Sequence, residues 1–414
     1  RVFNDTVYVV TSGGLLAIHD LYQPGEEYNN LDGLGTVDIT DMIEASDGSR
    51  WITGFGRLID FRGASSIRHR FADSEGDRFA LYTLEDDGDK MWVGSEHGLI
   101  LFSRTIEDGQ ILDSYGLFGN LNPSPDVYDI ELTQDSIWVA TSAGFAVAGR
   151  TYPDSLKAPD SWKAYGRLEY SELSTDTVLT VKSFESDLYV GTANGFFVLD
   201  QVFDTLIKLP FGPSARITDL VIDRDTLFVY STSGFACVKN AVVTALATTG
   251  MPSPPVTGVR MGSQRWLGAR DKGIYYGGGI SYTAYPYTGM PDNVVSDVTV
   301  SPSGQLTVLF RNLGPYERQG DEWVKRPIQV GARAEVMEMD SRGWNWVGTF
   351  GGDVSRVGDT VAHYDNYNST FQGEPADTNA IICFDLAMSE DFVFGTSWQA
   401  YDGFPVAIGQ LDNL

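Results

Sequence analysis

A short acidic segment is the first stretch of the sequence whose residue types could bind a ligand. The run EDDGDK places Glu85, Asp86, Asp87 and Asp89 within five residues. Ca²⁺ takes several oxygen ligands, many of them carboxylates, so this segment is a candidate calcium site. The same position in other parts of the chain carries SDGS or SPSG, which are typical of solvated hairpin turns. A calcium site and a simple turn are therefore both open interpretations.

A tyrosine-rich segment, residues 273–291, is a second candidate binding region. It contains Tyr275, Tyr276, Tyr282, Tyr285 and Tyr287 among glycines. Exposed tyrosines can stack on the rings of a glycan or anchor a protein partner, because a rigid aromatic ring loses little entropy on binding. The alternative is that these rings pack the outer strands and the boundaries between neighbouring repeats.

Motifs for catalysis are missing from the sequence. It contains no Gly-x-Ser-x-Gly elbow and no phosphate-binding glycine loop. The four histidines, His19, His69, His97 and His363, are too widely separated to form a metal-binding pair. Many Asp and Glu are available, but nothing in their spacing singles out an acid–base pair. We therefore predict that the protein is not an enzyme, and that it has no catalytic residues or cofactor other than the candidate Ca²⁺.

Charge and hydropathy narrow the classes of partner. The 414 residues include 29 Lys and Arg and 56 Asp and Glu, a net charge of −27 spread along the chain. Such a surface repels nucleic acid and anionic lipid. No apolar run approaches the roughly 18 residues of a membrane-spanning helix. We therefore expect a protein or glycan partner, with no nucleic acid and no membrane span.

The composition also bears on the compartment. The 45 Gly and the 12% aromatic content are typical of a secreted β protein, and the chain starting at Arg1 suggests a mature or trimmed product. Cys237 and Cys383 lie in apolar runs, where free thiols behave as small buried hydrophobes. A disulfide between them remains open at this point.

Aromatic strand segments of similar sequence recur ten times. Examples are VYVVTSGG at Tyr8, MWVGSEHG at Trp92, LYVGTANG at Tyr189 and NWVGTFGG at Trp346, and the last copy lies at Val393. Each has a second strand signal upstream, such as VDITDMIEA or RITDLVID, and a turn between the two. The mean spacing is about 43 residues, which is the length of a four-stranded propeller blade. The sequence therefore predicts an all-β fold, a β-propeller of four-stranded blades.

The hairpin in DLYVGTANGFFVLD, residues 187–200, illustrates one repeat. Asn194-Gly195 is expected to supply the positive φ angles of a tight turn. Consecutive apolar residues on both strands predict burial on both faces, as between two blades. Gly191 is expected to let an aromatic side chain of a neighbouring blade approach the backbone.

The ten repeats can be divided in two ways. We predict a seven-bladed propeller over 1–288 and further blades of a second, incomplete propeller over 289–414. A single ten-bladed ring is the alternative. The first repeat has little sequence before its aromatic strand, so we expect a later segment to complete blade one. An incomplete second ring exposes a blade edge, which can recruit a second copy of the chain into a homo-oligomer.

Three segments carry a resemblance to a known family: GMPDNVVSDVTVSPSGQLTVLF (289–310), GMPSPPVTGVRMGSQRWLGA (250–269) and DSRGWNWVGT (340–349). They resemble the two-component-regulator propeller repeat, whose unit runs Gly-Leu-Pro, a Val-containing strand, Asp-x-x-Gly, Trp-Val-Gly-Thr and a Gly turn. The N-terminal stretch DGLGTVDITDMIEASDGSRWITGFGRLIDF (32–61) is similar to the propeller region of secreted proteins associated with the type IX secretion system.

The resemblance implies three classes of function. The first is a non-enzymatic scaffold that binds protein, in the periplasm, outside the cell or on the surface of a bacterium, linked to type IX secretion. The second is an extracytoplasmic sensor propeller for an oligosaccharide. The third is a propeller lyase or glycosidase, which needs convergent acid, base or metal groups on one face. The absence of catalytic motifs favours the first.

Overall fold

The computed structural model describes residues 1–20, 25–63, 65–106, 109–150, 153–173, 175–211, 215–270, 272–285, 291, 295–301, 303–320, 322–326, 333–357, 360–389, 391–397, 400 and 406–410. Three 3₁₀ helices lie at Asn30–Asp32, Pro153–Lys157 and Pro159–Ser161, and the other regular elements are strands. The predicted all-β fold is confirmed. The chain divides into two compact units, Arg1–Tyr287 (unit 1) and Thr288–Leu414 (unit 2).

Unit 1 contains seven four-stranded antiparallel sheets in its described residues, here named blades A to G. Within every blade the four strands follow one another along the chain. Blades A to D comprise β1 Val2–Phe3, β2 Thr6–Thr11, β3 Gly14–Ile18 and β4 Glu26–Tyr28; β5 Ile39–Glu44, β6 Arg50–Gly54, β7 Arg57–Asp60 and β8 Ile67–Arg70; β9 Leu81–Asp87, β10 Lys90–Ser95, β11 Gly98–Ser103 and β12 Gln110–Tyr115; β13 Val127–Leu132, β14 Ser136–Thr141, β15 Gly144–Gly149 and β16 Trp162–Tyr165.

Blades E to G have the same order. Their strands are β17 Val178–Phe184, β18 Asp187–Thr192, β19 Gly195–Asp200 and β20 Thr205–Lys208; β21 Ile217–Asp223, β22 Thr226–Ser231, β23 Gly234–Lys239 and β24 Val242–Ala245; β25 Pro255–Met261, β26 Gln264–Ala269, β27 Gly273–Gly278 and β28 Ser281–Ala284. Most middle strands are largely buried, and β11 is buried at every position, whereas β27 of blade G has one buried residue. This is the environment that the consecutive apolar residues predicted.

Buried apolar side chains form a cluster at each boundary between neighbouring blades. The boundary between blades G and A closes the ring. There Trp266 and Tyr285 of blade G pack against Val7, Leu16 and Ile18 of blade A. Seven boundaries therefore complete a closed ring in unit 1.

Blade A corrects one expectation about the first repeat. Its innermost strand is β1, which comes from the beginning of the chain and pairs Val2 with Val7 and Phe3 with Thr6. No later described segment joins this sheet. The blade is complete in strand number, but β1 has two residues where the other first strands of unit 1 have six or seven.

The hairpin at Asn194-Gly195 also differs in detail from the expectation. Of the two residues, only Gly195 has a positive φ, 154°. The turn is held instead by Thr192, whose hydroxyl donates to the Gly195 carbonyl at 3.0 Å and accepts from the Asn194 amide at 3.0 Å. The hydroxyl of Thr141 makes the equivalent contact with Gly144 at 2.9 Å. Hydrogen bonds of a threonine side chain therefore stabilise this turn, for which positive φ angles at both Asn194 and Gly195 had been expected.

Gly191 does allow a neighbouring blade to approach, but the neighbour is aliphatic rather than aromatic. A Cβ at this position would lie 2.6 Å from Ile217 Cγ2 of blade F and 2.6 Å from Thr180 Cγ2 of its own blade. The expected aromatic contact was therefore wrong. Gly94 and Gly348 occupy the same place in their blades and are equally crowded by Thr83 and Val336.

Unit 2 holds the remaining three repeats. Its strands are β29 Val295–Val300, β30 Leu306–Phe310, β31 Gly314–Gln319 and β32 Glu322–Lys325; β33 Arg333–Met339, β34 Asn345–Gly352, β35 Val354–Val357 and β36 Val361–Tyr364; β37 Ile381–Met388, β38 Phe392–Ser397 and β39 Val406–Gln410. The first four form one sheet. The last two repeats share a sheet, because the end of β34 pairs with β37 through Phe350 and Ile382.

Both cysteines are free thiols. Burial raises the pKa of the Cys383 thiol to about 12. Because the thiolate is the reactive form, Cys383 is a small buried hydrophobe rather than a nucleophile.

Candidate functional site

The first strands of blades B to G each contain a β-bulge at the equivalent point. The bulged residues are Thr40, Tyr82, Tyr128, Leu179, Thr218 and Val256. A bulge adds one residue to a strand and thereby exchanges the faces to which the following side chains point. All six bulged residues and the residue after each of them line one cavity inside the ring of unit 1.

The residues directly after the bulges alternate between aspartate and threonine around the ring. In blade order they are Asp41, Thr83, Asp129, Thr180, Asp219 and Thr257. This alternation was not predicted from the sequence. Its signal was nevertheless present, because each aspartate interrupts an apolar strand in the segments ITDM, VYDI and ITDL.

Each aspartate bonds to the threonine of the next blade. The Thr180 hydroxyl donates to Asp129 Oδ2 at 2.7 Å, and the Thr83 hydroxyl donates to Asp41 Oδ2 at 3.2 Å. Thr257 makes the same bond to Asp219. These charge-assisted bonds tie blades B to C, D to E and F to G at the channel wall.

A second layer of charged groups lies two residues further along the first strands. Glu131 pairs with Lys182 of the next blade and accepts a hydrogen bond from the Ser183 amide at 3.0 Å. Glu85 occupies the equivalent position in blade C. Its carboxylate interacts electrostatically with Lys182, Asp129 and Arg1.

Burial makes the carboxylic acids of Glu85, Asp129 and Asp219 weaker acids, because it disfavours their ionised form. It raises the pKa of Glu85 to about 7 and the pKa of Asp129 to about 6. Burial also raises the pKa of Asp219, against the opposing effect of its bond from Thr257. Desolvation disfavours the charged form, so each site would gain from a cation placed near it.

The cavity has a volume of about 440 Å³. Its wall combines the aspartates with Val9, Val221 and Val259, and with the rings of Tyr82 and Tyr128. This volume lies within the range of small-ligand sites. Acidic, aromatic and aliphatic groups together suit a cation with an apolar stem.

The carboxylates of EDDGDK lie in different surroundings. Glu85 interacts electrostatically with Lys182 and Asp129, whereas Asp86 forms an ion pair with Arg104 at 3.1 Å. Asp87 accepts from Trp92 Nε1 at 3.0 Å, and Asp89 is in the exposed turn before β10. Among the described residues, no group of three or more His, Cys, Asp or Glu is arranged to hold a metal ion.

The tyrosines of segment 273–291 pack at blade boundaries. Tyr275 and Tyr282 belong to the cluster between blades F and G, and Tyr285 packs with Trp266 between blades G and A. Tyr276 is partly buried beside the same tryptophan. Tyr287 lies outside the described residues. The four described rings therefore have the packing environment that was the alternative to a binding role.

A serine, a histidine and an aspartate meet in unit 2, which the spacing of the histidines did not suggest. His363 Nδ1 lies 2.7 Å from Asp353 Oδ2 and 3.1 Å from the Ser355 hydroxyl. Both partners use the same ring nitrogen. A nucleophile–base–acid relay needs the two partners on opposite ring nitrogens, so this cluster does not have that geometry.

The described part of the chain has no helix that is long and apolar enough to cross a membrane. The closed ring of blades and its lined channel define unit 1 as a β-propeller. No protein-family model matches the sequence, and no curated protein matches it either.

Solved structures share the fold. One is PorZ, a surface component of the type IX secretion system of Porphyromonas gingivalis, at 16% identity and a TM-score of 0.65 over 95% of this chain. Another is the extracellular domain of a hybrid two-component system protein of B. thetaiotaomicron, at 13% identity and a TM-score of 0.40 over 93% of this chain. This chain covers 55% of the first structure's chain and 59% of the second. The likeness to PorZ confirms the predicted resemblance at the level of the fold.

Proposed function

We propose that this chain is an exported, non-enzymatic propeller that works as a scaffold by binding a protein partner at the bacterial surface. The observation that carries the proposal is an exposed apolar patch at the outer edge of blades D and E. It consists of Val202 and Phe203 at the tip of the β19–β20 hairpin, which are 85% and 77% exposed. We call it the D–E edge patch.

The D–E edge patch is held in place by polar contacts. Asp200 Oδ1 accepts from the amides of Val202 and Phe203 at 2.9 and 3.1 Å, which orders the tip of the β19–β20 hairpin. Asp204 joins this tip to blade D, because it pairs with Lys163 at 2.6 Å and accepts from the Tyr170 hydroxyl at 3.2 Å.

An ordered, protruding and apolar tip is suited to a partner with a concave apolar surface. Single exposed apolar residues are common, whereas neighbouring ones on an ordered edge mark interaction sites. The fold likeness to a surface component of a secretion system supports a role in the bacterial envelope. A link to type IX secretion is part of the proposal.

The test is site-specific crosslinking in the source bacterium. A photo-reactive residue replaces Phe203, and a matched control replaces Val242, which is 62% exposed on the outer strand of blade F. We expect one discrete crosslinked protein from position 203 and none from position 242. We also expect protease added to intact cells to digest the chain.

A double substitution, Val202→Asp with Phe203→Asp, completes the test. It should abolish the crosslinked complex and the secretion phenotype while leaving the thermal unfolding midpoint unchanged, because both residues are exposed. Normal secretion with this double variant would contradict the scaffold role. Binding of an oligosaccharide by the intact protein would favour the sensor function instead.

A further inference from the structure

We infer that the channel cavity of unit 1 binds a peptide segment that carries a lysine or arginine side chain. This site is separate from the D–E edge patch and does not depend on its role. Three aspartates of the channel, Asp41, Asp129 and Asp219, occupy equivalent positions in alternate blades.

One of the three aspartates already holds a guanidinium. Arg1 donates to Asp41 Oδ1 at 2.9 Å inside the channel. The other two accept hydrogen bonds from threonine but have no Lys or Arg within 4.0 Å among the described residues. The contact between Arg1 and Asp41 therefore shows one way in which a channel aspartate binds a cation. Asp129 and Asp219, at the equivalent positions, have no such cation within 4.0 Å in the part of the chain that the structure describes.

The surroundings of these aspartates match a long cationic side chain. Tyr82 and Tyr128 line the cavity with ring centroids 5.2 Å apart, and aromatic faces attract alkylammonium and guanidinium groups. Val221 and Val259 lie two residues after Asp219 and Thr257 on the same strands and line the same cavity. They give the methylene stem an apolar wall.

Trp266 supplies an independent reason to expect a peptide rather than a simple amine. It lines the cavity and is 2% exposed, and its Nε1–H has no hydrogen-bond partner in the described structure. The equivalent Trp92 donates to Asp87 at 3.0 Å, and Trp51 donates to the Ser49 hydroxyl at 2.9 Å.

A buried donor without an acceptor costs free energy, so a ligand that brings an acceptor is favoured. A peptide carbonyl is such an acceptor. One ligand therefore satisfies both features: its side-chain cation lies at Asp129 and Asp219, and a main-chain carbonyl accepts from Trp266.

Calorimetric titration of the whole chain with three small probes tests the inference. The probes are N-acetyl-lysine methylamide, its neutral analogue N-acetyl-norleucine methylamide, and cadaverine, a doubly charged diamine without a carbonyl. We expect the lysine probe to bind at least about ten-fold more tightly than the norleucine probe, a difference of roughly 1.4 kcal/mol. Equal binding of the lysine and norleucine probes would overturn the inference.

Two substitutions separate the parts of the site. Asp219→Asn should weaken the lysine probe and cadaverine by about ten-fold each, whereas Asp225→Asn, on the exposed turn before β22, should change neither. Trp266→Phe should weaken the lysine probe and leave cadaverine unchanged, because only the peptide uses the indole N–H.

Folding of each variant is checked by its thermal unfolding midpoint. If Asp219→Asn lowers that midpoint, Val221→Phe provides the second variant, since it fills the cavity without removing a polar group and should abolish binding. An equal effect of Trp266→Phe on the lysine probe and on cadaverine would overturn the peptide assignment. An absence of binding for all three probes at about 10 mM would overturn the site itself.

Discussion

The hydroxyl of Thr180 in blade E donates a hydrogen bond of 2.7 Å to Asp129 Oδ2 in blade D. The same oxygen accepts from the Val181 amide at 3.0 Å. A single carboxylate oxygen therefore connects two first strands that share no backbone ladder, and the contact recurs at every second blade boundary from blade B to blade G.

Thr180→Val is expected to lower the free energy of unfolding by about 1–2 kcal/mol, because a buried carboxylate loses one donor while the side-chain volume is kept. Chemical denaturation followed by tryptophan fluorescence measures the change. The control is Thr205→Val on the exposed start of β20, which should stay within about 0.5 kcal/mol of the wild type. Equal effects of the two substitutions would show that the channel bond contributes nothing.

Gly191→Ala is expected to destabilise the protein by about 1–3 kcal/mol, because the new methyl group would lie 2.6 Å from Ile217 and Thr180 side-chain carbons. The matched control is Gly234→Ala in β23, where a Cβ meets no atom within 4 Å. Thermal melts of the two variants should separate clearly. An unfolding midpoint of Gly191→Ala equal to that of the wild type would mean that blades E and F can shift to accommodate the methyl group without a loss of stability.

Glu85 is expected to make the protein less stable as the pH rises from about 4.5 to about 7. Burial raises the pKa of Glu85 from its usual 4.5 to about 7. The folded state consequently binds more protons than the unfolded state in this window, and the free energy of unfolding falls as the pH increases.

The difference in unfolding free energy between wild type and Glu85→Gln isolates this effect. It should change across the window by an amount on the order of 1.4 kcal/mol for each unit of pKa shift, with the variant favoured at the higher pH. Asp225→Asn serves as the control, because its carboxylate is exposed. Parallel curves for wild type and Glu85→Gln would contradict the burial of this carboxylate.

Calcium is expected to leave the stability of the chain unchanged. The carboxylates of EDDGDK point to separate partners, with Asp86 on Arg104 and Asp87 on Trp92. A Ca²⁺ ion needs several oxygen ligands around one point. Thermal melts in excess Ca²⁺ and in EDTA should therefore coincide. An unfolding midpoint several degrees higher in Ca²⁺ than in EDTA would contradict this expectation and support a calcium site in the segment.

The repeats were readable from the sequence because each blade repeats the same alternation of apolar strands and glycine turns. The aromatic strand signal at Trp92 and the one at Tyr189 became β10 and β18, the second strands of their blades. The likeness to propeller proteins followed from the same pattern. Local periodicity is sufficient for this level of description because every blade is built from consecutive segments.

The side chains that line the channel were harder to predict, because their orientation depends on β-bulges that local sequence patterns do not indicate. Without the bulge at Tyr128, Asp129 would lie on the opposite face of its strand.

The burial of Tyr275 and Tyr282 could not be predicted from their own segment either. Their exposure was decided by the side chains of blade F, such as Tyr230 and Phe235, which lie far from them in sequence.

Each blade of unit 1 uses four consecutive strands, so six of the seven boundaries are also crossed by the polypeptide itself. The boundary between blades G and A is different. It relies on side-chain packing around Trp266, Val7 and Leu16. The propeller is therefore a ring with one boundary that the polypeptide does not cross, and hydrophobic contacts hold the two blades together at that boundary. Heat, denaturant or pulling force should open it there first, and the channel would then become a groove along an open row of blades.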